Sequence, residues 1–272
     1  MNLIFKKIQK ENCLTRKNLD KMKHKSQENT VKMVVNRAIL DVTPPLEIKL
    51  ALKAQLKVYN GALGEKNIST MGGILVDKRG KIYGLGTCHG LKQDLENRDS
   101  LSKDEVTSIF YLDEKKTIGQ LEFFTLNDSL DIGLIQFKEE TPAFLNDFKG
   151  KPSEVYTLSN ADVGILKVVV YSSVRDAFIE GVLLTDKSEK SRLQTSRVTG
   201  VEMSNLGVIS TDKINGKALT VSGDSGAWVR KADDLKVIGM IVGVDEALTK
   251  SYFVKMTDIL ASNQKKQYKI FS

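Results

Sequence analysis

The sequence predicts an all-β protein made of two β-barrel or sandwich halves, with a basic arm in front and a short helix near the end. Three observations predict it. Short apolar runs recur at roughly 8–12-residue spacing, as in barrels and sandwiches. Turn-forming residues separate them, and Gly150-Lys151-Pro152 makes a natural seam between two stretches of the same texture. The expected domains are an arm over residues 1–45, a first half over 46–150 and a second half over 151–272.

Each element follows from local chemistry. Thr43-Pro44-Pro45 ends the arm, because proline and the residue before it resist helix continuation. Leu46 to Tyr59 fits either a short helix or a strand. Gly73-Ile74-Leu75-Val76, the turn Asp77-Lys78-Arg79-Gly80, and Lys81 to Gly86 read as a hairpin, with Gly80 supplying the positive φ. Strands are then expected over 107–112, 118–125 and 132–137. After the seam they resume at 154–158, 165–172, 178–184, 208–210, 227–229, 237–244 and 252–256. A helix over 257–265, with Thr257 as its N-cap, closes the list.

Composition places the chain among globular proteins: 41% hydrophobic, 28% charged and four prolines in 272 residues. No apolar run approaches the roughly 18 residues that span a bilayer. Two cysteines, Cys13 and Cys88, cannot build a disulfide framework, which favours a reducing compartment or a bacterial or organellar lineage. The first residues, Met1-Asn2-Leu3-Ile4-Phe5-Lys6-Lys7, lack a secretory h-region, so the expected location is cytoplasmic, with organellar import as the alternative. The whole net charge of +7 lies in residues 1–37, and the rest of the chain is neutral. That arm reads as a solvated tail, or as a contact for an acidic partner or anionic surface. Without interleaved aromatics or a recognisable motif, the case for nucleic-acid binding through it is weak.

The most informative run is Ser222-Gly223-Asp224-Ser225-Gly226. Acyl transfer needs a nucleophile beside backbone N–H groups that can hold an oxyanion, and Gly223 lets its N–H turn toward the point faced by that of Ser225. The same letters also make an ordinary turn. A serine nucleophile needs a base, and the chain has only His24 and His89. His24 sits among Lys21, Lys23 and Lys25, which disfavours its protonated form. His89 follows an apolar strand and is the credible base. Asp131 opens the run Asp131-Ile132-Gly133-Leu134-Ile135 and could orient the imidazole, or serve as a strand-edge turn residue.

The chain order settles the choice. His89, Asp131 and Ser225 are separated by 42 and 94 residues, against roughly 45 and 93 in the chymotrypsin template. Subtilisin-like and α/β-hydrolase enzymes use other orders. Over about residues 50–265 the sequence resembles the trypsin/chymotrypsin-like serine peptidases. Gly86-Thr87-Cys88-His89 stands where that family has Thr-Ala-Ala-His. Asp131 to Ile135 resembles Asp-Ile-Ala-Leu-Leu, and Gly223 to Ala227 resembles Gly-Asp-Ser-Gly-Gly. The resemblance implies a chymotrypsin-like double β-barrel and an endopeptidase acting on a protein or peptide substrate. Ser225 would be its nucleophile, His89 its proton shuttle and Asp131 the orienting acid, with an oxyanion hole of Gly223 and Ser225. It implies no cofactor and no metal.

The sequence departs from that family in three places. Gly90 follows His89 where the family commonly has Cys. Six residues before Ser225 stands Leu219, where trypsin-like members carry the Asp at the floor of the S1 pocket. With Val242, Gly243, Val244 and Ser251 as further lining, Leu219 implies a non-basic P1 preference. No Ile-Val-Gly-Gly start is present to pair with Asp224, so activation would need either cleavage after Arg37, exposing Ala38, or a site formed constitutively. The competing readings are a silent protease-fold binding module and a protein whose basic arm does the work.

Overall fold

The computed structural model describes residues 55–65, 67–92, 108–111, 115–138, 152–187, 191–194, 199–212, 216–245, 247–262 and 267–271. The expected arm, His24, Cys13 and most of the expected seam lie outside these residues.

The first sheet is built from β1 (Leu56–Asn60), β2 (Ser69–Met71), β3 (Gly73–Val76), β4 (Ile82–Gly86), β5 (Ser108–Tyr111), β6 (Lys116–Leu126) and β7 (Asp131–Phe137). Its strands pair antiparallel in the order β3-β4-β7-β6-β5-β1-β2. The two ends of that sheet are one run of chain interrupted only at Gly72, whose N–H donates to the Leu85 carbonyl (3.1 Å). The sheet therefore curls round on itself as a six-stranded barrel, counting β2 and β3 as one bent strand.

The second sheet comprises β8 (Lys167–Ser172), β9 (Ala177–Thr185), β10 (Ser191–Gln194), β11 (Thr199–Met203), β12 (Gly207–Ser210), β13 (Trp228–Lys231), β14 (Val237–Val244) and β15 (Ser251–Lys255). Pairing runs β14-β13-β8-β9-β12-β15, and β15 returns to β14, which closes a second barrel of six strands. The β10–β11 hairpin hangs from β14 through Gln194. Numbered one to six in chain order, both barrels follow the circuit 1-2-3-6-5-4. The two halves thus repeat one topology.

Strands β4, β7 and β14 are buried on both faces along most of their length. Along β14, Ile238 and Ile241 point into the second barrel with Val168, Ile209 and Phe253, while Val237, Met240 and Val242 join a second cluster. That cluster also takes Leu75, Tyr83, Leu85, Ile132 and Leu134 from the first barrel, with Trp228 fully buried among them. The first barrel has its own interior, including Val58, Met71, Ile109, Ile118, Leu121 and Ile135. Two faces, each with an apolar partner, explain why these strands read as continuous apolar runs rather than alternating ones. Each fully buried Leu, Ile or Val stabilises by roughly 1.5–3 kcal/mol.

Several expectations need adjustment. The helix, α2, spans Met256–Ala261 and begins earlier than expected; Lys255 is its N-cap and Thr257 lies inside it, because β15 runs straight into the first turn. The stretch expected as a strand at 154–158 makes only a single bridge, Val155 to Val237. After α2 a last strand, β16 (Lys269–Phe271), crosses back to pair with β3 of the first sheet. No helix among the described residues is long and apolar enough to cross a membrane.

Candidate active site

His89 lies in a single helical turn, α1 (Cys88–Leu91), immediately after β4. Strand β7 runs antiparallel beside β4 with Gly133 opposite Gly86. Asp131, two residues before Gly133, therefore meets His89, three residues beyond Gly86. Its Oδ1 accepts the backbone N–H of His89 (3.0 Å), and its Oδ2 is hydrogen-bonded to the ring Nδ1. Both residues are buried, 3% and 2% exposed, so water does not screen the pair. A carboxylate against Nδ1 keeps the ring proton on that nitrogen and leaves Nε2 as the basic one.

Ser225 lies in the loop 221–226, between β12 and β13. The loop turns through two left-handed glycines, Gly223 at φ +99° and Gly226 at φ +100°. Asp224 is buried, with its carboxylate accepting the Val221 N–H (3.0 Å) and the Ser172 hydroxyl (2.8 Å). Ser225 is itself partly exposed between buried neighbours. Among the described residues, no protein acceptor takes the backbone N–H of Gly223 or of Ser225. Free backbone donors inside a structured loop are uncommon and suit an anion.

The first barrel grips this loop through β2. Thr70 N–H donates to the Ser225 carbonyl (2.7 Å), Ser69 Oγ donates to the same oxygen (2.8 Å), and Thr70 Oγ1 donates to the Gly223 carbonyl (2.8 Å). Ser69 Oγ also lies 3.4 Å from Thr87 Oγ1, beside the His89 turn. A Cβ on Gly90 would stand 2.4 Å from Ser69 Oγ, which accounts for glycine directly after His89. These contacts set the loop that carries Gly223 and Ser225 against β2, whose Ser69 adjoins the turn that carries His89. Ser69, Thr70 and Ser172 were not legible as site residues, because their contacts reach across 52 to 156 residues of sequence.

The expected pocket residues fare differently. Leu219 is fully buried inside the second barrel with Val168, Ile209 and Phe253, and its carbonyl accepts Nη1 of Arg175 (3.2 Å). Its side chain belongs to that core cluster. Val242 packs between the barrels, and Gly243 sits at a register shift of β14. Val244 is half-buried, whereas Ser251 is buried with its Oγ bonded to Thr220 Oγ1 (2.9 Å). Asp245 is occupied in closing its own loop, accepting Thr249 N–H (2.6 Å) and Lys250 N–H (2.9 Å). Cys88 is buried. Among the described residues, no three His, Cys, Asp or Glu side chains cluster as a metal site would require.

The shared 1-2-3-6-5-4 circuit decides the architecture. It is the chymotrypsin-like double β-barrel. No family profile and no curated protein matches the chain. Solved structures similar to it include a glutamic-acid-specific serine protease, 14% identical, covering 79% of this chain and 97% of that one at a TM-score of 0.49. The Nocardiopsis protease NAPase is 12% identical, covering 80% and 97% at 0.48. Thermobifida fusca protease A is 12% identical, covering 79% and 95% at 0.47.

Proposed function

We propose that the chain is a serine endopeptidase acting through Ser225, His89 and Asp131. The observation that carries this reading is the double grip of Asp131 on the backbone and ring of His89, beside the loop with two free N–H groups. In the reaction, Nε2 of His89 takes the Ser225 hydroxyl proton as Oγ attacks the substrate carbonyl carbon. The carbonyl electron pair moves onto oxygen, which Gly223 N–H and Ser225 N–H receive. Collapse of the intermediate breaks the C–N bond, and His89 returns the proton to the leaving amine. Water then attacks the acyl-enzyme by the same route and frees Ser225. Asp131 stays ionised throughout and stabilises the imidazolium.

The substrates proposed are proteins or peptides, cut in limited processing. A fluorophosphonate probe tests the reading. Labelling is expected on Ser225; it disappears in Ser225→Ala and falls steeply in His89→Ala. An intact, folded chain that resists the probe would favour the silent binding module instead.

A further inference from the structure

Asp224 stands between the two proposed oxyanion donors, and its side chain has no exposed surface. A buried carboxylate costs several kcal/mol unless donors or a cation compensate it. Here the donors are all local. Oδ1 accepts from Ser172 Oγ (3.0 Å) and Val174 N–H (3.3 Å); Oδ2 accepts from Ser172 Oγ (2.8 Å) and Val221 N–H (3.0 Å). The Ser172 hydroxyl is directed: Arg175 N–H donates to its oxygen (3.1 Å), so its hydrogen is left for the carboxylate. Among the described residues, no ammonium or guanidinium forms an ion pair with Asp224. Arg175, whose charge acts on it from nearby, sends Nη1 to the Leu219 carbonyl instead.

The next residue tightens the same loop from its other side. Ser173 Oγ is 2.9 Å from Thr70 Oγ1, which donates to the Gly223 carbonyl. The pair Ser172-Ser173, at the end of β8, therefore reaches the loop at the Asp224 carboxylate and at the Gly223 peptide. Because Asp224 lies between Gly223 and Ser225, fixing its side chain fixes the orientation of both neighbouring peptides.

We propose that Ser172 is a positioning residue: its hydroxyl anchors Asp224, and through it the Gly223 and Ser225 donors, so the site is assembled in the intact chain without a freed amino terminus. This inference rests on the serine-peptidase reading. It also displaces the idea of activation by cleavage after Arg37. The carboxylate that an Ala38 ammonium would seek already accepts four contacts.

The test uses the full chain with Met1 verified by intact mass, p-nitrophenyl acetate as the substrate, and Ser172→Cys and Ser172→Ala beside wild type. Cysteine keeps the bulk but is a weak donor, so it separates hydrogen bonding from packing. Rates are read well below the lowest Tm. The intact chain and its Arg37→Gln variant should show equal kcat. Loss of a hydrogen bond to a charged group predicts a kcat decline of roughly 10- to 100-fold across Ser, Cys and Ala, with KM within about twofold. Equal kcat with all three residues overturns the proposal, as does an intact chain that turns active only after cleavage at Arg37. Failure of the underlying reading looks different: Ser225→Ala then hydrolyses the ester as fast as wild type, and both claims fall together.

Discussion

Replacing Gly226 with alanine puts a methyl group where the structure has no space. A Cβ there would lie 1.8 Å from the Thr70 carbonyl oxygen, 2.9 Å from its carbon and 3.5 Å from the Gly86 Cα. These are backbone atoms of β2 and the end of β4, so no side-chain rotation relieves the contact. The φ of +100° adds its own cost, about 1–3 kcal/mol for an L-residue in such a region. Overpacking adds about 1–3 kcal/mol more. A total near 4 kcal/mol corresponds to a Tm fall of roughly 8–16 °C for a domain of this size. Gly64 (φ +71°) and Gly80 (φ +81°) are the controls, since a Cβ at either meets nothing within 4 Å. Alanine there should cost only the dihedral term, about 1–2 kcal/mol or roughly 2–8 °C. Calorimetry on the three variants reads the difference directly. Because Thr70 holds both Gly223 and Ser225, Gly226→Ala should also lose ester hydrolysis measured below its Tm. If it melts with the two controls, the loop does not lie against β2 as described.

Further predictions follow from the same contacts. Asp131→Asn would present an amide N–H to Nδ1, drive the ring proton to Nε2 and lower kcat by about 10⁴-fold with little change in fold, as steady-state kinetics and circular dichroism would show. Arg230 is 5% exposed and spends Nη1 on the Leu235 carbonyl (2.9 Å), while its Nε has no acceptor among the described residues. Burial pulls its pKa down to about 10. Arg230→Met removes that desolvated charge and should leave Tm unchanged or raise it by a few degrees; a fall of about 5 °C or more would contradict this. Burial also raises the Asp224 pKa, against the lowering effects of Val221 N–H, the Ser172 hydroxyl, Val174 N–H and Arg175. The folded chain then binds that proton more tightly than the unfolded one. Its stabilising contribution is full below the unfolded pKa, near pH 4, and declines as pH rises through the folded value. The Tm of wild type relative to Asp224→Asn should therefore fall as pH rises from about 3 toward neutral.

What the sequence disclosed follows a physical boundary. The hairpin 73–86 is legible because its apolar runs flank a glycine that must turn left-handed, and Gly80 does so at φ +81°. Strand β14 is legible because it is buried along nearly its whole length. Strand β2 and the β10–β11 hairpin are too short or polar to stand out as apolar runs, and β16 owes its conformation to β3, far away in sequence. Glu154 to Leu158 has strand-like letters but spends them elsewhere; Tyr156, for example, donates its hydroxyl to Asp162 (2.9 Å). The site divides in the same way. The proposed His89, Asp131 and Ser225 rest on motifs in a fixed order. The polar residues that hold them, Ser69, Thr70 and Ser172, look like ordinary turn and strand-end residues. Counting back from Ser225 to Leu219 gives a position, not the direction of a side chain.

The central claim is that Ser225 carries an acyl group during turnover, and a stopped-flow burst with p-nitrophenyl acetate tests it most directly. The account predicts about one equivalent of p-nitrophenol per chain in the burst and an acetyl adduct on Ser225 by mass spectrometry. Both should be absent in Ser225→Ala. Linear release from the first turnover with no adduct, or an adduct on another residue, would contradict it.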